Sequence, residues 1–155
     1  MKIKIIWPGK TKNKNLKFLE EDYLKKINKF IKCQIIVTKE VKGIKEKFIK
    51  KIKEKESQTL ENYFEDNYII CLTERGKEMD SIEFARFLER LFLSSIKEIV
   101  FVVGGYAGLD ERIMKRANFL LSLSKMTFPH ELSRVILLEQ IYRALSIIRG
   151  QKYAK

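Results

Sequence analysis

The chain is poor in the residues that most often carry special chemistry. Its 155 residues include two cysteines, two prolines, one tryptophan and one histidine. Cys33 and Cys71 sit inside apolar stretches with no histidine or cysteine at ligand spacing. That argues against a disulfide framework and a zinc site, and they read as small core residues in a reducing compartment. No apolar run approaches the roughly 18 residues that would span a membrane. The start, Met1-Lys-Ile-Lys-Ile-Ile-Trp7-Pro8, has too short an apolar stretch for a signal peptide and no small-residue cleavage site. The expectation is a cytoplasmic protein with no membrane partner and no metal. Internal repeats and linkers are absent too, as is any low-complexity tract beyond the lysine-rich stretch around residues 45–55, so residues 1–155 are expected to form one domain.

Apolar residues at 45% and charged residues at 34% describe a globular chain with an ordinary core. Lysine is the residue in excess. The net charge is +12, and residues 1–60 hold 18 lysines, no arginine and 7 acids. The remainder is nearly neutral. A basic face of this kind fits a polyanion such as RNA, but it equally fits a merely solvated lysine surface. Charge alone leaves both readings open.

Apolar patterning alternates along the chain. Lys2–Trp7 reads as a strand ended by Pro8-Gly9, and a helical stripe follows from Leu16 to Ile31. Cys33–Thr38 reads as a second strand. Ile44 to Phe64 reads as one long helix with a mostly polar middle. Tyr68–Leu72 is a third strand. Ser81 is the expected cap of a helix through Phe92. Glu98–Val103, apolar without interruption, reads as a strand buried on both faces. Ile113, Met114, Ala117, Leu120 and Leu121 predict a short helix, with a brief strand near Ser122–Ser124. Pro129 fits the first turn of a last helix that runs through Ile148. Strands alternating with helices predict an α/β fold with a mostly parallel sheet of five to six strands and flanking helices.

Ligands of such sheets bind beyond the carboxyl ends of the strands. Gly104-Gly105 and the exit at Leu72 lie at such ends. Gly9-Lys10-Thr11 imitates the tail of a phosphate loop, but position 4 is Lys4 where that motif needs glycine. Gly104-Gly-Tyr-Ala-Gly108 has GGxxG spacing, not GxGxxG, and no acid follows at the ribose distance. Nucleotide-binding fingerprints therefore fail. His130 stands at the start of the last helix, where the positive end of the dipole favours a neutral imidazole able to accept a proton. Read from the residues alone, it is more simply a loop histidine. Arg134 sits one turn on and could hold a phosphate or carboxylate. Glu139 and Arg143 form an i,i+4 pair, and Tyr142 is either core or a stacking surface. Trp7 is expected to pack at the end of the first strand.

These residues also carry a resemblance. Phe101-Val-Val-Gly-Gly105, the run Leu123-Ser-Lys-Met-Thr-Phe-Pro-His130, Arg134, Glu139-Gln-Ile-Tyr-Arg-Ala144 and the tail Tyr153–Lys155 are together similar to the RlmH family of SPOUT-class methyltransferases, over the full length. The resemblance implies a C-terminal trefoil knot and a homodimer. It implies S-adenosyl-L-methionine as methyl donor and N3 of a pseudouridine in large-subunit (23S) ribosomal RNA as acceptor, methylated on assembled ribosomes. The donor site it implies comprises Leu72, Gly104, Gly105, Leu123, Ser124, Lys125, Met126, Thr127 and Phe128, with the two glycines leaving room for the ribose and methionine portions. His130 is its candidate proton acceptor; Arg134, Tyr142 and Arg143 would position the nucleotide. The family tail commonly ends Tyr-His-Lys or Tyr-His-Arg, whereas Ala154 stands here, so a tail histidine has no part in this chain. Rival readings are a SPOUT enzyme for another RNA, a ribosome-binding assembly factor without catalysis, and a nucleotide-dependent enzyme of another kind.

Overall fold

Five largely apolar runs form strands: β1 (Lys2–Pro8), β2 (Lys32–Thr38), β3 (Tyr68–Glu78), β4 (Glu98–Val102) and β5 (Phe119–Ser122). The computed structural model describes residues 1–42 and 45–153, without the side chain of Glu46. All strand pairs are parallel, in the order β2-β1-β4-β3-β5. Helices α1 (Lys14–Ile27), α2 (Ile49–Glu61), α3 (Ser81–Phe92) and α4 (Glu111–Arg116) lie between them, and α5 (His130–Ile148) follows the last strand.

The period of two along β1 and β4 sorts the core. Ile3, Ile5 and Trp7 join Ile99, Phe101 and Val103 on the face covered by α3 and α5. Ile6, Val100 and Val102 point the other way, into a smaller cluster with Leu60, Phe64, Leu109 and Ile113. Successive side chains of a strand alternate between faces, so an unbroken apolar run serves two cores at once. Cys33 and Cys71 are buried free thiols, and burial pushes both up to about 12. Neither is a nucleophile near neutral pH.

Several expected boundaries move. The cap of α3 is Asp80, whose carboxylate accepts from the Glu83 amide while Glu83 accepts from the Asp80 amide. Ser81 is the first helical residue. The expected long helix over 44–64 is a 3-10 turn, Glu46–Phe48, followed by α2; Ile44 lies outside the described residues. Pro129 is the cap of α5 and precedes its first turn. Helix α4 stops at Arg116, and Leu120 and Leu121 belong to β5. Strand pairing outweighs helical periodicity here. Asn118 is clamped to β3, its amide donating to the Ile69 carbonyl at 2.9 Å and its side chain accepting from the Ile69 amide at 2.7 Å.

Strand β3 runs longer than expected because it bulges. Leu72 and Lys77 both register against Leu121, so Thr73–Gly76 arches out of the sheet. A β-carbon at Gly76 would stand 2.7 Å from the Leu120 backbone. The arch and the glycine turn after β4 face each other beyond the carboxyl edge of the sheet.

Candidate active site

A cavity of about 280 Å³ opens between these loops. This is at the lower edge of the roughly 300–1,000 Å³ usual for ligand pockets. Its walls come from four separate places. Leu72–Arg75 enter from the arch of β3, and Val103, Gly104, Gly105, Ala107, Gly108 and Leu109 from the turn after β4. Leu123, Ser124, Met126, Thr127 and Phe128 come from the loop after β5, and His130 and Ser133 from the start of α5. Lys53 of α2 and Met114 of α4 complete the rim. Of the residues the resemblance assigned to the donor, Leu72, Gly104, Gly105, Leu123, Ser124, Met126, Thr127 and Phe128 meet here. Lys125 does not: its side chain is exposed and points toward Glu78, 3.8 Å away. Met126, also on the wall, is 77% exposed.

The loops hold their shape by local bonds. Ser122 donates to the Ser124 carbonyl at 2.9 Å, and the Ser124 hydroxyl accepts from the Met126 amide at 3.0 Å. The Gly108 amide donates to the Gly105 carbonyl at 3.0 Å, closing a tight turn. The glycines are required by crossings of the chain more than by room for a ligand. A β-carbon at Gly104 would stand 2.7 Å from Gly108 backbone. At Gly105 it would stand 2.9 Å from the Pro8 ring and 3.3 Å from a Glu56 carboxylate oxygen. A side chain there would force the Pro8 ring to shift, so glycine fits without rearrangement.

His130 is half-buried at the cavity wall. Burial first, and then the Arg134 charge, hold its imidazole below the usual range, so it is neutral near pH 7. Arg134 does not reach the cavity. It is 1% exposed and points backward. One of its terminal nitrogens donates to the Thr11 hydroxyl and the other to the Pro8 carbonyl, both at 2.9 Å. Its guanidinium lies 4.8 Å from the Trp7 ring centroid. Thr11 in turn donates to Glu20, and Glu131 accepts from the Lys12 and Asn13 amides at 2.9 and 3.0 Å. Arg134 is therefore the fastening between α5, α1 and the end of β1, not a group presented to a nucleotide.

Tyr142 and Arg143 lie 12 and 13 residues beyond His130 along α5, or about 18–20 Å at 1.5 Å per residue. They form a separate cluster. Tyr142 packs against Tyr23, Phe30 and Tyr153. Arg143 donates to Glu139, as the i,i+4 spacing predicted, and stacks 4.6 Å from the Tyr153 centroid. Ala154 and Lys155 of the tail lie outside the described residues.

One residue beside the cavity escaped the sequence reading. Glu56 of α2 is 4% exposed, beneath Gly105. Burial first, and then the neighbouring Glu40, push its carboxyl up to about 7, against an opposing pull from Arg134. The clue was in the pattern: Glu56 occupies the apolar stripe of α2, four residues after Ile52 and four before Leu60, both buried.

Among the described residues no group of three or more His, Cys, Asp or Glu is placed to hold a metal, and no helix is long and apolar enough to cross a membrane.

Known proteins give this arrangement a context. The family described as "Predicted SPOUT methyltransferase" matches residues 1–154. The chain is 44% identical to "Ribosomal RNA large subunit methyltransferase H" of Clostridium botulinum strain Kyoto, with 100% of both chains covered. It is 45% identical, again over 100% of both, to the protein of the same name from Ureaplasma urealyticum serovar 10. Among solved structures, a "Probable Methyltransferase from Bordetella pertussis Tohama I" superposes with a TM-score of 0.59 at 11% identity, over 92% of this chain and 95% of that one. At that identity the likeness concerns the fold.

Proposed function

Since the chain belongs to the SPOUT methyltransferases, and within them to the ribosomal RNA large subunit methyltransferase H family, we propose that it methylates N3 of a pseudouridine in 23S ribosomal RNA. In this reading S-adenosyl-L-methionine is the donor, the assembled ribosome is the substrate, and the enzyme acts as a homodimer with a trefoil-knotted C-terminal segment. The observation that carries the reading is the convergence of the arch of β3, the glycine turn, the Leu123–Phe128 loop and His130 on one cavity.

The cavity fits the donor by its chemistry. Leu72, Leu109, Met114 and Leu123 offer an apolar slot of the kind a purine ring fills, and the loop backbone offers hydrogen bonds at its edge. Ser124 and Thr127 add hydroxyls at the rim. A sulfonium supplies an already activated methyl group, so the protein's task is orientation and removal of one proton. The imide N3 is a poor nucleophile while it carries that proton. His130, neutral and without a hydrogen bond among the described residues, is the group at the cavity wall suited to take it.

Tyr142 and Arg143 are too far from this cavity to serve it. They would serve the cavity of a second copy across a dimer interface. Lysines of both copies would share the contact with RNA.

The test is transfer of labelled methyl from S-adenosylmethionine to ribosomes lacking the modification, with free large subunits alongside. Label at N3 of a pseudouridine in assembled ribosomes is expected. Donor binding without transfer to ribosomes would redirect the reading to another RNA. Ribosome binding without donor binding would favour an assembly factor.

A further inference from the structure

Glu56 is a buried carboxyl group that the mechanism above does not use. It accepts no hydrogen bond and makes no ion pair among the described residues, and its oxygens keep only the narrow contact with solvent that 4% exposure leaves. Its oxygens lie 3.3 and 3.6 Å from the β-carbon position of Gly105, and Gly105 is itself a wall of the cavity. Only one backbone thickness therefore separates the carboxyl from whatever lies against that wall.

Its surroundings are acidic in sum. Glu40, beyond β2, packs over Gly9 with its carboxyl carbon 3.1 Å from the β-carbon position of that glycine. Arg134, from α5, is the cation that acts on Glu56, but it is committed to Thr11 and Pro8 and shared with Glu20, Glu131 and Glu40. Pro8, from β1, contributes no charge. On α2 itself, Lys53 stands one turn earlier, at the opposite side of the glycine turn beside Gly108. Neutral His130 lines the same cavity as Gly105.

We propose that Glu56 is the residue that favours the cationic sulfonium donor over the neutral thioether left after transfer, acting as a negative charge behind the Gly105 wall. The inference rests on the donor reading above. Before transfer the ligand sulfur carries a positive charge; afterwards it carries none. A carboxylate behind Gly105 attracts the first and is indifferent to the second. Burial leaves that attraction only partly screened. The bound cation in turn draws Glu56 toward its ionised form, so donor binding releases a proton near neutral pH. Product then leaves a site that no longer holds it electrostatically.

The experiment is calorimetric binding of S-adenosylmethionine and S-adenosylhomocysteine to the full chain and to Glu56→Gln, at pH 6 and pH 8. The expected loss for S-adenosylmethionine in Glu56→Gln at pH 8 is on the order of tenfold, the effect of one charge acting through a partly screened wall. S-adenosylhomocysteine should stay within about twofold. In the native chain, S-adenosylmethionine should bind more tightly at pH 8 than at pH 6, and the variant should lose that dependence. Equal weakening of both ligands, or of neither, overturns the proposal and leaves Glu56 a packing residue. A native chain that binds neither ligand overturns the donor reading as well. If Glu56→Gln fails to fold, Glu40→Gln decides the matter. Removing that repulsion should move the pH midpoint of S-adenosylmethionine binding downward without changing S-adenosylhomocysteine, and an unmoved midpoint overturns the proposal.

Discussion

The two sides of Arg134 make an instructive contrast. On one side, Glu20 is buried almost as deeply as Glu56, yet it accepts from Thr11 and faces the guanidinium. On the other, Glu56 and His130 are buried or half-buried beside the cavity and make no hydrogen bond among the described residues. Satisfied polar groups hold elements together. Unsatisfied ones keep bonding capacity for something the folded chain does not itself supply. The side bonded to Thr11 and Pro8 is frame, even with the Arg134 Nε buried there without a partner, and the side of Glu56 and His130 is site, although only one helix turn of α5 separates Arg134 from His130.

The strongest way to break this contrast is to damage each side and compare the losses. Arg134→Met should cost about 3–5 kcal/mol, because it leaves Glu20 charged and buried without its cation. Denaturant unfolding measures this, and a loss below about 1 kcal/mol would show that the fastening is dispensable. His130→Ala should do the opposite. Stability should change by less than about 1 kcal/mol, while methyl transfer at saturating donor and ribosome falls roughly 10²–10⁴-fold. In the native enzyme the acid limb of the rate profile should lie below pH 6.5, since burial and Arg134 lower the imidazole from that value. Near-normal turnover in the variant would remove His130 from the chemistry.

Glu56→Gln sharpens the comparison through stability. The folded chain holds this carboxyl up to about 7 from an ordinary 4.5. Between those values the native state binds more protons than the unfolded state, so the group's contribution to stability falls as pH rises through that window. Gln carries no such penalty. The variant should match the native chain at pH 4 and exceed it by up to about 3 kcal/mol at pH 8. Thermal melts at the two pH values check the sign, and a variant less stable at pH 8 would mean that the ionised carboxylate is compensated in the native fold. The smallest effect belongs to Lys125. Its side chain is exposed, so Lys125→Ala should alter stability and donor affinity by under about 0.5 kcal/mol. A large loss of donor affinity would place its ammonium at the cavity after all.

The contrast also marks how far the linear pattern can be read. Runs such as Ile3–Trp7 and Ile99–Val103 announce buried parallel strands because both faces need apolar side chains. His130 and the Leu123–Phe128 loop were legible as a group because they are neighbours in the chain. Arg134, one turn further, looked equally suited to a ligand. Its backward orientation follows from the packing of α5 on α1 and β1, which no local spacing reports. Leu120 and Leu121 continue a helical period from Ile113, and their pairing with β3, led by the clamp of Asn118 on Ile69, makes them a strand. Glu56 was visible as one acid on an apolar stripe, but nothing local placed it beneath a glycine 49 residues later.

The amino-acid sequence by itself determined the α/β class, the strand cores, the loop that walls the cavity and the kinship of the whole chain, because these depend on periodicity and on contiguous residues. The tertiary structure alone decided the arch of β3, which polar groups are paired and which are left open, and the distance between His130 and the Tyr142–Arg143 cluster. Those properties arise where segments far apart in the chain meet, and burial there sets whether a charge is fastened, suppressed or kept available.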